Sequence, residues 1–164
     1  MVQDSAPHRL ADQLERAFHG GAWHGPALME LLAGVDADLA QWRPGPPAHS
    51  LAETVGHLTH WMEDARCQVL GVPGPVLGPG GDWGPPVLAS EAAWQALCGA
   101  LEEAHCRLRT AVLGLEEGRL DEARPGSDTT LWGLLLGTLQ HQAYHAGQMA
   151  LVRKLAEAAR GGRP

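Results

Sequence analysis

Residues 50–115 constrain this chain more than any other stretch. They hold two long apolar stripes with helical spacing, divided by a run that cannot be helical. Leu51, Val55, Leu58, Met62, Ala65 and Val69 recur at alternating steps of four and three, the period of one helix face. Ser50-Leu51-Ala52-Glu53 before them is an S-x-x-E capping box, in which hydroxyl and carboxylate each satisfy an orphan amide. The spacing predicts that this helix ends at Gly71. Ser90 predicts the start of another helix, with Leu97, Leu101, Ala104, Leu108, Ala111 and Leu115 on its inner face. Residues 71–89, between the two, are rich in Gly and Pro and exclude a helix. A connection this long needs a reason. A domain linker is one, but neither flank reads as an independent domain. Topology is the other, because parallel neighbouring helices need a long crossover where antiparallel ones need only a short turn.

The rest of the chain is helical too. Residues 7–18 place Leu10, Leu14, Ala17 and Phe18 on one side, and His19-Gly20-Gly21 interrupts them. A second stretch follows Pro26, expected in its first turn, with Leu28, Leu31, Leu32 and Val35. Asp36 caps a short turn that ends near Trp42. Residues 126–130 supply cap chemistry for a last helix running to about Ala159. No segment alternates with the period of two that marks a half-buried strand. The expected fold is all-α: a four-helix bundle, with a long Gly/Pro-rich crossover between the second and third main helices. At 164 residues with 45% apolar and 19% charged side chains, one globular domain over residues 1–164 is expected.

A net charge of −7 without long like-charge runs argues against nucleic-acid and anionic-membrane partners, which favour basic patches. No apolar run approaches the roughly 20 residues that span a bilayer. The first residues show no secretory signal, so a cytoplasmic location is expected. Cys67, Cys98 and Cys106 have no CxxC spacing, which predicts neither a disulfide framework nor a thiolate zinc site.

The chemistry concentrates in the last helix. His141 and His145 stand four apart, so both imidazoles share one face and can reach one point. Leu134, Thr138, His141, His145, Gln148, Val152 and Leu155 follow steps of four and three, with a polar middle that is costly in a core unless something satisfies it. The alternative is that the helix buries Leu131, Leu135, Leu139 and Met149 and leaves this seam outside. Periodicity does not separate the two. A catalytic metal usually takes three protein ligands. At about 100° per residue, His57 falls on the flank of the Leu51–Val69 stripe beside Thr54 and Trp61, whereas His60 points away from the stripe. His57 is thus the better third ligand, at the rim of the bundle. His105 lies near the inner face of its helix and reads as a core histidine, the alternative being a fourth ligand or an outer partner of the site. His8, His19, His24 and His49 fall in loops or helix ends.

Residues 49–61, His-Ser-Leu-Ala-Glu-Thr-Val-Gly-His-Leu-Thr-His-Trp, and residues 140–148, Gln-His-Gln-Ala-Tyr-His-Ala-Gly-Gln, resemble motifs of the DinB/YfiT-like metalloenzyme superfamily. Residues 21–26, Gly-Ala-Trp-His-Gly-Pro, resemble a segment of one branch of it. The resemblance covers nearly the whole chain. It implies up-down-down-up helix order, a homodimer, and a three-histidine metal site at His57, His141 and His145. Characterised relatives resemble thiol-dependent S-transferases or isomerases, or metal-dependent hydrolases.

Three functions follow. In a thiol-dependent S-transferase acting on small electrophiles, a divalent metal (zinc or nickel first, iron or cobalt next) would lower the pKa of a low-molecular-weight thiol. In a hydrolase the same ion would activate water, with a carboxylate such as Glu53 as base, although Glu53 already belongs to the capping box. Tyr144 turns off the histidine face and reads as a packing residue, whereas Gln148 is placed to orient His145. The third function is a non-catalytic, dimeric ligand-binding helical protein, with Trp61, Trp83, Trp94 and Trp132 offering apolar surface for the dimer.

Overall fold

Ser50 and Ser90 start the two central helices as their side chains predict. In the computed structural model, which describes residues 5–78, 80–83, 88–124 and 126–161, the Ser50 hydroxyl accepts from the Glu53 amide at 3.2 Å, and Glu53 Oε2 accepts from the Ser50 amide at 2.8 Å. This box opens α4, Leu51–Leu70. Gly71 ends it at φ 69° and ψ 29°, a left-handed conformation that costs glycine little. Ser90 Oγ accepts from the Ala93 amide and opens α5, Glu91–Leu113. Two other main helices flank this pair: α1, Ala6–His19, and α6, Leu131–Gly161, where Thr130 Oγ1 accepts from the Gly133 amide. The short α2, Leu28–Leu32, and α3, Ala37–Gln41, link α1 to α4. Asp36 caps α3 through the Leu39 amide at 2.8 Å. Pro26 precedes α2 instead of starting it, because the helix begins two residues later.

Cross-helix pairs give the directions. Ala6 bonds Glu117 just beyond α5, Glu15 meets His105, and His19 meets Glu102, so α1 and α5 run antiparallel. His57 meets His141, and Gln68, at the far end of α4, meets Arg124 just before α6, so α4 and α6 are antiparallel as well. On α4, Glu63 meets Arg107, while Leu70 shares a surface hollow with Thr110 and Ala111. Hence α4 and α5 are parallel neighbours, and residues 71–89 carry the chain back between them. The order is up-down-down-up. Residues 79 and 84–87 of that crossover lie outside the described residues.

The core runs through Leu14, Phe18, Leu51, Leu58, Met62, Leu101, Leu108, Leu135 and Met149. Two faces differ from the spacing argument. On α5 the buried line is Trp94, Leu101, Ala104, His105, Leu108 and Val112, with Leu97 and Ala111 only partly covered. Trp94 is therefore not surface for a dimer: it is 1% exposed, and its indole N–H donates to the Val35 carbonyl at 2.7 Å. On α6 the helix buries Leu131, Leu135, Gln142, His145, Ala146, Met149 and Ala156. The seam of Thr138, His141 and Gln148 therefore lies at the edge of the core, with Leu155 exposed. The apolar residues of α6 outnumber what one face can hold, so Leu131, Leu135 and Met149 are buried while Leu136, Leu151 and Leu155 stay exposed.

Candidate metal centre

His57 leaves α4 from the flank that faces α6, and His141 and His145 leave α6 one turn apart. Their Nε2 atoms meet. His57 Nε2 lies 3.0 Å from His141 Nε2, and His145 Nε2 lies 2.9 Å from the same atom. Four nitrogens around a tetrahedral ion, at about 2.0–2.1 Å each, stand roughly 3.3 Å apart. The observed spacing is within a few tenths of an ångström of that. His57 and His145 are buried and His141 half-buried, so the cluster sits at the rim of the bundle.

Counting hydrogens shows what the cluster lacks. His57 Nδ1 lies 3.2 Å from the backbone carbonyl of Asp82. A carbonyl only accepts, so Nδ1 carries the hydrogen and Nε2 a lone pair. His145 Nδ1 donates to Gln148 Oε1 at 2.7 Å, which leaves its Nε2 a lone pair too. Both lone pairs face His141 Nε2, which carries at most one hydrogen when neutral. The three inward nitrogens thus share one hydrogen at most, and one lone pair is left opposed at close range. Protonation is a poor remedy, because burial disfavours the charged ring. Burial lowers the pKa of all three rings. For His141, burial followed by the neighbouring His145 and His57 brings it to about 4. Three neutral imidazoles with converging lone pairs form a donor set that could hold a metal ion.

The crossover roofs this cluster. Besides the Asp82 carbonyl, the Asp82 carboxylate lies 3.5 Å from His57 Nδ1 and accepts from the Trp61 indole N–H at 3.1 Å. The Trp83 ring stacks on His57 at 3.8 Å and on His49 at 3.7 Å. Periodicity could not find these residues because the loop has none. One signal was available: Asp82 is the sole ionisable residue and Trp83 the sole aromatic in residues 71–89.

The other expected residues divide cleanly. His60 is half-buried and its ring lies T-shaped to Trp61, away from the cluster. His105 is a core histidine, stacked on Phe18 at 3.9 Å and bonded to Glu15 at 3.2 Å. His49 touches the site only through Trp83. His8 bonds Ser5, and His24 is exposed. Gln148 does orient His145. Tyr144 turns off the histidine face as expected but is not a core packing residue: it is 63% exposed, with its ring T-shaped against His145. Glu53 cannot serve as a free base, because one oxygen holds the Ser50 amide and the other pairs with Arg43.

A family model described as the DinB superfamily matches residues 22–149, most of the chain. Neither a curated protein nor a solved structure gives a match.

Proposed function

Because the chain belongs to the DinB superfamily, we propose that it is a metal-dependent enzyme, a thiol-dependent S-transferase acting on small electrophiles. The observation that carries this reading is the convergence of three imidazole nitrogens with at most one hydrogen among them. His57, His141 and His145 would hold one divalent transition ion, for which zinc or nickel suits the all-nitrogen set and iron or cobalt is also accommodated. When bound, such an ion supplies a Lewis acid that lowers the pKa of a small thiol.

The chain's own side chains do the positioning. The Asp82 carbonyl and the Gln148 amide set the tautomers of His57 and His145, and Trp83 covers one face of His57 and shields it from water. The thiol would come from a cosubstrate. Cys67 is buried, burial pushes the Cys98 thiol up to about 11, and no cysteine is in contact with the three rings among the described residues. Hydrolysis is the weaker reading: the expected base, Glu53, is engaged on both oxygens, and the carboxylate beside the rings, Asp82, is tied to the Trp61 indole.

The same reading takes residues 1–164 as one helical domain. It makes the chain a homodimer, for which Trp132, Leu136, Tyr144, Leu151 and Leu155 leave exposed apolar surface on α6. Three free cysteines suit a reducing cytoplasm. Among the described residues no helix is long and apolar enough to cross a membrane.

Metal analysis of protein purified without nickel chromatography should find a stoichiometric divalent ion. Incubation with an aryl halide and a panel of small thiols should then give metal-dependent conjugation. Turnover independent of added thiol would favour hydrolysis. Absence of metal, with no rise in Tm on adding divalent ions, would leave the non-catalytic helical protein.

A further inference from the structure

His141 also forms one end of a groove. The groove runs between α4 and α6, encloses about 390 Å3, and has apolar walls from Leu58, Met62, Ala65 and Leu134. Arg124 lies at its other end, before the start of α6. From Gly133 to His141 the helix rises about 12 Å, the length of a small extended ligand.

Several features are unexplained by packing. Gly137 lines the groove in mid-helix, where glycine costs about 1 kcal/mol against alanine. A Cβ there would meet no heavy atom within 4 Å, so no neighbouring group requires the missing side chain, and its absence leaves the groove wide. Arg124 is half-buried and has no carboxylate partner among the described residues. Its one bond donates from a terminal nitrogen to Gln68 Oε1 at 2.9 Å, and its Nε is buried without a partner. Most other described arginines hold a carboxylate, as in Arg16–Asp12, Arg153–Glu157 and Arg160–Asp36. Asp64 lines the same groove, but its carboxylate accepts from the Gln68 amide, which stands between the two charges. Gln142, next to His141, is 1% exposed, and neither amide atom has a partner among the described residues.

We propose that this groove binds a small monocarboxylic acid with an apolar body, its carboxylate on Arg124 and its other end at the imidazole cluster. A single guanidinium matches a single negative charge. A phosphate dianion would leave one charge uncompensated, with Asp64 nearby to repel it. The apolar walls take the body of the ligand, and the Gln142 amide offers a donor and an acceptor where the ligand nears His141. The assignment of the far end as the reacting end rests on the reading of the cluster as a metal centre. Binding in the groove does not require that reading.

The test uses full-length, chelator-treated protein with octanoate, octanol and octyl phosphate as probes. Binding is read by calorimetry and by the amide resonances of Gly133 and Gly137. Octanoate should bind more tightly than octanol and shift both resonances. Arg124→Gln should weaken octanoate about tenfold or more while leaving octanol unchanged, Arg124→Lys should recover part of the loss, and Gly137→Leu should block both probes. Thermal melts and metal titration of each variant check the fold and the histidine cluster. Equal affinity for octanoate and octanol, wild-type octanoate binding by Arg124→Gln, or unaltered binding by Gly137→Leu would overturn the proposal, and tighter binding of octyl phosphate would overturn the carboxylate assignment. Normal metal binding without octanoate binding would sink the groove alone. Octanoate binding without metal binding would sink the metal centre alone.

Discussion

Among the described residues, two trios of side chains converge closely enough to hold an ion, and they differ in how their hydrogens are accounted for. His57, His141 and His145 form one, and Glu15, His19 and His105 the other. In the second trio a carboxylate occupies the middle. Glu15 accepts from His105 Nε2 at 3.2 Å and from His19 Nδ1 at 2.9 Å, and Arg109 lies 3.3 Å from it. Every inward nitrogen has an acceptor, and the charge is balanced by a guanidinium. Burial pushes the Glu15 carboxyl up, but the bonds from His105 and His19 outweigh it and hold the group below its ordinary value. In the first trio acceptors outnumber donors: at least two inward lone pairs meet at most one hydrogen. Proximity alone therefore does not tell the two trios apart, whereas their unmatched lone pairs do.

The largest effects should separate the trios outright. His145→Ala should lower metal affinity by more than about 100-fold, since loss of a direct ligand exceeds the 10–100-fold cost of losing an outer partner. Glu15→Gln should leave metal stoichiometry unchanged. Calorimetric titration with zinc checks both, and loss of metal in Glu15→Gln would break the comparison. Stability should respond the other way. His105→Ala removes a fully buried ring stacked on Phe18 and should cost about 3 kcal/mol. That is roughly 6–12 °C in Tm for a chain of this size, with zinc affinity retained.

A smaller effect tests the outer partners. Gln148 is exposed and holds His145 Nδ1, so Gln148→Ala should weaken zinc about tenfold while leaving the Tm of the metal-free protein within a degree or two.

The last effect is in pH and is read as a slope. A histidine whose folded pKa is lowered resists protonation in the fold, while the unfolded chain takes up its proton near pH 6.5. Stability is therefore complete above about pH 6.5 and falls as pH drops toward about 4, where His141 itself protonates. Each such group contributes at most about 1.4 kcal/mol per pH unit. His141→Gln should flatten this slope in denaturant titrations of metal-free protein. Glu15, whose folded pKa is lowered, stabilises above about its ordinary 4.5 and loses that contribution only below it, so Glu15→Gln should leave the slope above pH 5 nearly unchanged.

Much of the architecture was legible beforehand, for local reasons. Ser50, Glu53, Gly71, Ser90 and Asp36 act within a few residues of their own positions, so their roles can be read along the chain. Helical angle also separated His57 from His60, because both directions follow from one helix. The inward line of α5 was less legible: Trp94 and Val112 fill it in place of Leu97 and Ala111, although His105 sits in the core as its helical angle predicts, and the shapes of α1 and α4 decide which side chains fit. The stripe that α6 buries needed the same information. Asp82 and Trp83 sit in a loop without periodicity, and Arg124 and Gly137 carry no pattern at all.

The sequence by itself determined where the helices start and stop, that two of them needed a long crossover, and that His141 and His145 share a face. These are consequences of backbone hydrogen bonding and helical period, which act over a handful of residues. Only the tertiary structure decided that His57 Nε2 arrives 3.0 Å from His141, that the crossover roofs the rings, and that Glu15 rather than an open centre meets His105. Those outcomes depend on side chains brought together from distant parts of the chain by packing, and no local rule specifies how far apart they come to rest.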